Sequence, residues 1–111
     1  EMTLAESLKT KGYATGAVVS SMVLRKEVGL AQGFDFYQDT MAALPDSAVR
    51  TYAQRDGSQS LPLAESWLKE NGGKPFFLFF HLYDPHFPYT PPEPFASIYA
   101  HPYDGEIPNG L

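Results

Sequence analysis

Apolar side chains at Leu4, Ala5 and Leu8 recur at helical spacing in TLAESLKTKGY and predict an amphipathic helix. Thr3 stands as its N-cap, and Glu6 lies at the capping-box distance. Lys9 and Lys11 suit the negative C-terminal end, and Gly12 offers a left-handed stop. The pattern then turns from helical to extended in YATGAVVS, with β-branched residues at Thr15, Val18 and Val19. A helix, a glycine turn and a strand in this order form an αβ unit.

The next stretch, MVLRKEVGLAQGFDFYQD, is divided by Gly29 and Gly33, and Phe34, Phe36 and Tyr37 are expected to anchor a loop onto the core. Residues 39–60 are polar, without a steady period, and carry the weakest constraint. A second helix is predicted at roughly 61–70, with Ala64, Trp67 and Leu68 inward and Asn71-Gly72-Gly73 as its stop. Pro62 is expected in its first turn, where a missing N–H costs nothing.

From Phe76 to Tyr83 the chain reads FFLFFHLY, with no alternation of apolar and polar positions. A strand of that kind is expected in the interior of a parallel sheet, covered by helices on both faces. Pro85, Pro88, Pro91, Pro92 and Pro94 follow and predict a stiff, extended loop without regular structure. The fold class is therefore α/β, a partial and mostly parallel sheet with flanking helices. A sheet of two strands cannot cover both faces and both edges of FFLFFHLY. The chain, residues 1–111, is accordingly expected to be an internal excerpt of a larger α/β domain, or to pair with another molecule. On its own it is expected to self-associate.

Composition narrows the partners. A formal charge of −5 with no cluster of Lys or Arg disfavours nucleic acid and anionic membranes, and Arg25-Lys26 reads as a solvated turn. The absence of cysteine excludes disulfides, thiolate metal sites and a cysteine nucleophile within these residues. The longest apolar run, about eight residues from Pro75, is too short to span a membrane. No signal peptide is visible at the N-terminus, and the compartment stays open.

Ligands of open α/β sheets bind at the carboxyl ends of the strands. Asp84 and His86 follow the long strand there, and the prolines limit their movement. His86 can donate to an oxyanion, act as an acid or bind a metal. Asp84 before Pro85 is equally a common turn starter, and a histidine among prolines is often a packing residue. His81 reads as a hydrogen-bonded core histidine, and His101 has no partner in view. A metal site from His81, Asp84 and His86 is conceivable, but the spacing is weakly specific. Glycine-rich phosphate loops, nucleophile elbows and His-Glu-x-x-His motifs are absent from the sequence.

The stretch KPFFLFFHLYDPHFPYTPPEPF resembles a motif of the sulfatases of the alkaline phosphatase superfamily, in which a Pro-Phe-Phe-Leu strand leads into Asp-Pro-His-x-Pro-Tyr-x-Pro-Pro. Upstream, TLAESLKTKGYATGAVVSSMVLRKEVGLAQGFDFY is similar in order and spacing to the segment after the family's nucleophile region. Tyr103-Asp104-Gly105-Glu106-Ile107 resembles the start of the next family helix. The resemblance implies an excerpt of a sulfatase catalytic domain and a parent that hydrolyses sulfate esters. It implies that His86 contacts the sulfate group or the leaving oxygen, with Asp84 as the supporting turn former that aims it.

The family nucleophile is a formylglycine made in a Cys-x-Pro-x-Arg motif, and that motif is absent here. A divalent cation, usually calcium, is held in the family by acidic residues of other segments. Formylglycine and the cation are thus implied for the parent, with no metal or cofactor ligand in this chain, and the chain alone is expected to be inactive. Some members place a lysine and a histidine after the second strand, where this sequence has Ser20, Ser21 and Met22. Family members are often periplasmic, secreted or lysosomal. A phosphoester or phosphonate hydrolase of the same superfamily, and a non-catalytic binding module on this scaffold, remain alternatives.

Overall fold

The computed structural model describes residues 1–41, 53–86, 89 and 91–98. Helix α1 spans Leu4–Thr10, and its capping box is complete: Glu6 N–H donates to Thr3 Oγ1 at 3.2 Å, and Thr3 N–H donates to Glu6 Oε2 at 2.8 Å. The Thr3 N–H, aided by the Gln32 side-chain amide, holds the Glu6 carboxyl below its usual pKa. Gly12 follows with φ +82°, the left-handed stop that its position predicts. The inward stripe is narrower than its pattern suggests. Ala5 is buried and Leu8 half-buried, but Leu4 is exposed.

Three parallel strands form the sheet: β1 (Ala14–Val18), β2 (Phe36–Gln38) and β3 (Phe76–Phe80), in the order β2-β1-β3. The α/β class and the parallel pairing agree with the sequence, while the central strand does not. The interior strand of the described sheet is β1, which is buried from Thr15 onward. FFLFFHLY forms its flank, with Phe76 and Phe79 each about 40% exposed. The choice has a steric cause. Gly16 leaves room for Trp67, whose ring atoms would lie 2.4 Å from an added Cβ, so a helix can seat directly on β1. The ladder ends at Phe80, with one more bond from His81 N–H to the Val18 carbonyl at 2.9 Å.

β2 is absent from the sequence reading. Phe36 and Tyr37 were expected in a loop, but the stretch is pulled into the ladder beside β1. Phe34 does anchor, stacked on Phe77 at 5.7 Å and edge-on to Tyr37 at 5.8 Å. Between β1 and β2 lie short 3-10 turns at Met22–Leu24 and Lys26–Val28.

Helix α2 runs Gly57–Asn71, starting four residues before the predicted Leu61. Pro62 therefore sits inside the helix and not in its first turn, and the helix gives up one backbone bond there. Ser60, Ala64 and Trp67 are buried, while Leu68 is half-buried. Trp67 meets Phe76 edge-on at 6.0 Å. The opposite face of the sheet receives α1 and its neighbouring loop. Thr15 Oγ1 donates to the Gly33 carbonyl at 2.9 Å, and an added Cβ at Gly33 would meet Glu6 N at 2.4 Å. Helices thus cover both faces of β1. A further short helix, α3 (Phe95–Ile98), follows Pro94 where an irregular loop was expected. Its first turn hangs on the Pro92 carbonyl, which accepts from Phe95 and Ala96. Pro88, His101 and the helix start read at Tyr103–Ile107 lie outside the described residues.

Candidate active site

The carboxyl ends of β1 and β3 lie side by side, because Val18 pairs with Phe80 in the parallel register. The residues that follow them, Ser20-Ser21 and His81 to His86, meet at that edge. The turn after β3 is closed by His86 N–H donating to the Tyr83 carbonyl at 2.9 Å. The His86 ring stacks on Tyr83 with centroids 4.4 Å apart and planes 19° apart. His86 is exposed, so the stack orients its ring without removing it from solvent.

Asp84 points elsewhere. Its Oδ1 accepts from Gly57 N–H at 3.0 Å, at the first residue of α2. Asp56, the natural N-cap, makes no side-chain capping bond. A carboxylate from the β3 turn therefore satisfies an orphan amide and faces the positive end of the helix. This bond fastens the turn carrying His86 to α2. Among the described residues no three His, Asp or Glu side chains gather as a cation site. His81, Asp84 and His86 do not converge on a common point, and no described residue group here fits a calcium ion.

His81 is half-buried, and its Nδ1 accepts from Ser20 N–H at 3.4 Å. Burial lowers its pKa below the usual 6.5, which favours the neutral ring. With Nδ1 accepting, the proton of the neutral ring belongs on Nε2.

Behind this edge stands a residue that the sequence reading missed. Arg55, in the polar stretch assigned the weakest constraint, is only 7% exposed. Its Nε donates to Ser60 Oγ at 2.9 Å, one terminal nitrogen to the Val19 carbonyl at 2.8 Å, and the other to the Thr40 carbonyl at 2.9 Å. Ser60 Oγ in turn lies 2.6 Å from Ser20 Oγ. Backbone bonds add to the seam, from Arg55 N–H to the Ser20 carbonyl and from Met22 N–H to the Ala53 carbonyl, each 3.0 Å. One guanidinium therefore ties the exits of β1 and β2 to the first turns of α2. Burial pulls its pKa down and Asp39 opposes that shift, yet a guanidinium remains charged at neutral pH. The only signal in the sequence is the pair of small hydroxyl residues, Ser20-Ser21, closing an apolar strand.

In front of the seam lies an open cavity of about 570 Å³. Ser21, His81 and His86 supply its polar lining, and Val23, Leu24, Leu82 and Pro85 supply apolar walls. Tyr37 Oη donates to the Leu24 carbonyl at 2.7 Å and steadies the wall. A largely apolar cleft with a few convergent polar groups, at the strand ends, is the usual form of a ligand site.

In comparisons with known proteins, the family model described as Sulfatase matches residues 1–107. No curated protein and no solved structure matches significantly.

Proposed function

Because the chain belongs to the sulfatase family, we propose that it forms part of an enzyme that hydrolyses sulfate esters, with His86 as the residue that touches the ester. The observation that carries this reading is the family match joined to the position of His86, exposed on a turn at the carboxyl ends of β1 and β3. A histidine there can hydrogen-bond a sulfate oxygen or the leaving oxygen as charge develops on it. Asp84 acts on the turn. By holding Gly57 N–H it keeps the loop, and with it the His86 ring, at a fixed distance from α2. Seam residues Arg55, Ser60 and Ser20 hold the opposite bank.

The parent enzyme uses a formylglycine nucleophile and a divalent cation, supplied by residues other than those described here. The 111-residue chain alone is inactive in this reading. The test is His86→Ala in the full-length enzyme, assayed in parallel on an aryl sulfate and an aryl phosphate. The expected result is preferential turnover of the sulfate and a loss of about 10²–10³-fold in kcat, the range for removing one charge-stabilising donor. Unchanged kcat removes His86 from the reaction. Preference for phosphate makes the parent a phosphoester hydrolase, and no turnover of either ester makes the scaffold a binding module.

A further inference from the structure

The cavity beside His86 holds two groups that sulfate contact does not use. Ser21 Oγ is buried and has no hydrogen-bond partner among the described residues, although buried hydroxyls are nearly always paired. Ser20, its neighbour, is satisfied by Ser60. Alternation explains the contrast, since Ser21 is extended (φ −131°, ψ 139°) and successive side chains point to opposite sides. One hydroxyl enters the seam under α2, and the other lies on the opposite side of the strand, in a residue that lines the cavity.

His81 is the second group. Its Nδ1 is taken by Ser20 N–H, so the neutral ring presents an Nε2–H donor with no further bond among the described residues. Around the pair the cavity is apolar, and the stacked rings of Tyr83 and His86 give it a flat aromatic side. No Lys, Arg, Asp or Glu is among the described lining residues. A charged ligand group would find no counter-charge there, whereas an uncharged one would find apolar contact and unpaired polar atoms.

We propose that this cavity is the subsite for the alcohol portion of the ester, and that it takes an uncharged, ring-sized apolar group bearing one oxygen. Ser21 Oγ and His81 Nε2 hydrogen-bond that oxygen, and Val23, Leu24, Leu82 and Pro85 enclose the ring. The ligand's description as an ester alcohol rests on the hydrolase reading, but the binding itself does not. Ser21 and His81 are specificity residues here, because a ligand without the oxygen leaves both unpaired.

Phenol and toluene are near-isosteric and differ by one hydroxyl, so they serve as probes in NMR titrations of the 111-residue chain. The expected result is that phenol perturbs the His81 ring nitrogens and Ser21, and that Ser21→Ala weakens phenol by about threefold to tenfold, the range of one neutral hydrogen bond, while sparing toluene. Ser21→Thr keeps the hydroxyl and is expected to keep the affinity for phenol, which guards against a packing artefact in the alanine variant. If Ser21→Ala leaves phenol binding unchanged, the Ser21 hydroxyl takes no part in binding and the subsite assignment fails. It fails equally if neither probe binds. Inorganic sulfate, titrated separately and read at the His86 ring, reports on the hydrolase reading. Loss of that response with the phenol preference intact removes the sulfate contact and leaves the subsite standing.

Discussion

His81 and Arg55 show how burial decides what a polar side chain does. Among the described residues no carboxylate bonds Arg55; carbonyl and hydroxyl oxygens take its donors, so its charge is spent on holding three chain segments together. His81 is held by a single backbone amide, and burial favours its neutral ring. That neutrality has a consequence for stability. Its folded pKa lies below 6.5, so near and below that pH the unfolded chain binds protons more readily than the folded one. Stability rises with pH wherever the unfolded state holds more protons. The His81 contribution is therefore unfavourable at acid pH, diminishes as pH rises to about 6.5, and is absent above it, where both states are neutral. Urea unfolding midpoints are expected to fall as pH is lowered through that window, and His81→Gln is expected to flatten this part of the profile. An unaltered slope in the variant would assign the effect to another group.

At the scale of elements, the decisive contact is between α2 and β1. Trp67 lies on the backbone at Gly16, and an added Cβ would stand 2.4 Å from its Cε2 and 2.8 Å from its Nε1. No side chain fits between them without moving the indole. Gly16→Ala is expected to destabilise the chain by about 1–3 kcal/mol, as overpacking in a filled core does. Trp67→Phe in that background is expected to recover part of the loss, and a denaturant series on the single and double variants measures both. Equal stability of Gly16→Ala and the parent would mean that the indole is not seated on β1. The same helix shows how its start is set from a distance. Its amide at Gly57 is served by Asp84, a residue 27 positions later, so α2 and the β3 turn stabilise each other.

For the whole molecule, the sheet has an unequal build. β1 is buried between helices, while β3 presents Phe76 and Phe79 at its flank and is followed by exposed Leu82. Among the described residues no strand pairs with the far edge of β3. Unpaired, apolar strand edges invite edge-to-edge pairing. The isolated chain is accordingly expected to self-associate as concentration rises, read by sedimentation velocity, and Phe79→Lys is expected to shift it toward monomer. A monomer at every accessible concentration would show that the edge is covered and end this expectation.

Periodicity and capping residues determined α1, its stop at Gly12 and the αβ class, because those features depend on neighbours within a few positions. The FFLFF run determined that a strand exists at 76–80, and the Asp-Pro-His turn located the candidate site at its end. The order of the strands was not legible. β2 is only three residues long, and the Phe34 beside it stacks on Phe77 of β3, a contact between residues far apart in the chain. Arg55 was illegible for the same reason: its partners come from 5 to 36 positions away, and nothing local distinguishes it from a solvated arginine. Local sequence fixes which backbone states are favourable. Only the tertiary structure decides which polar groups are left together, away from water, and must satisfy one another.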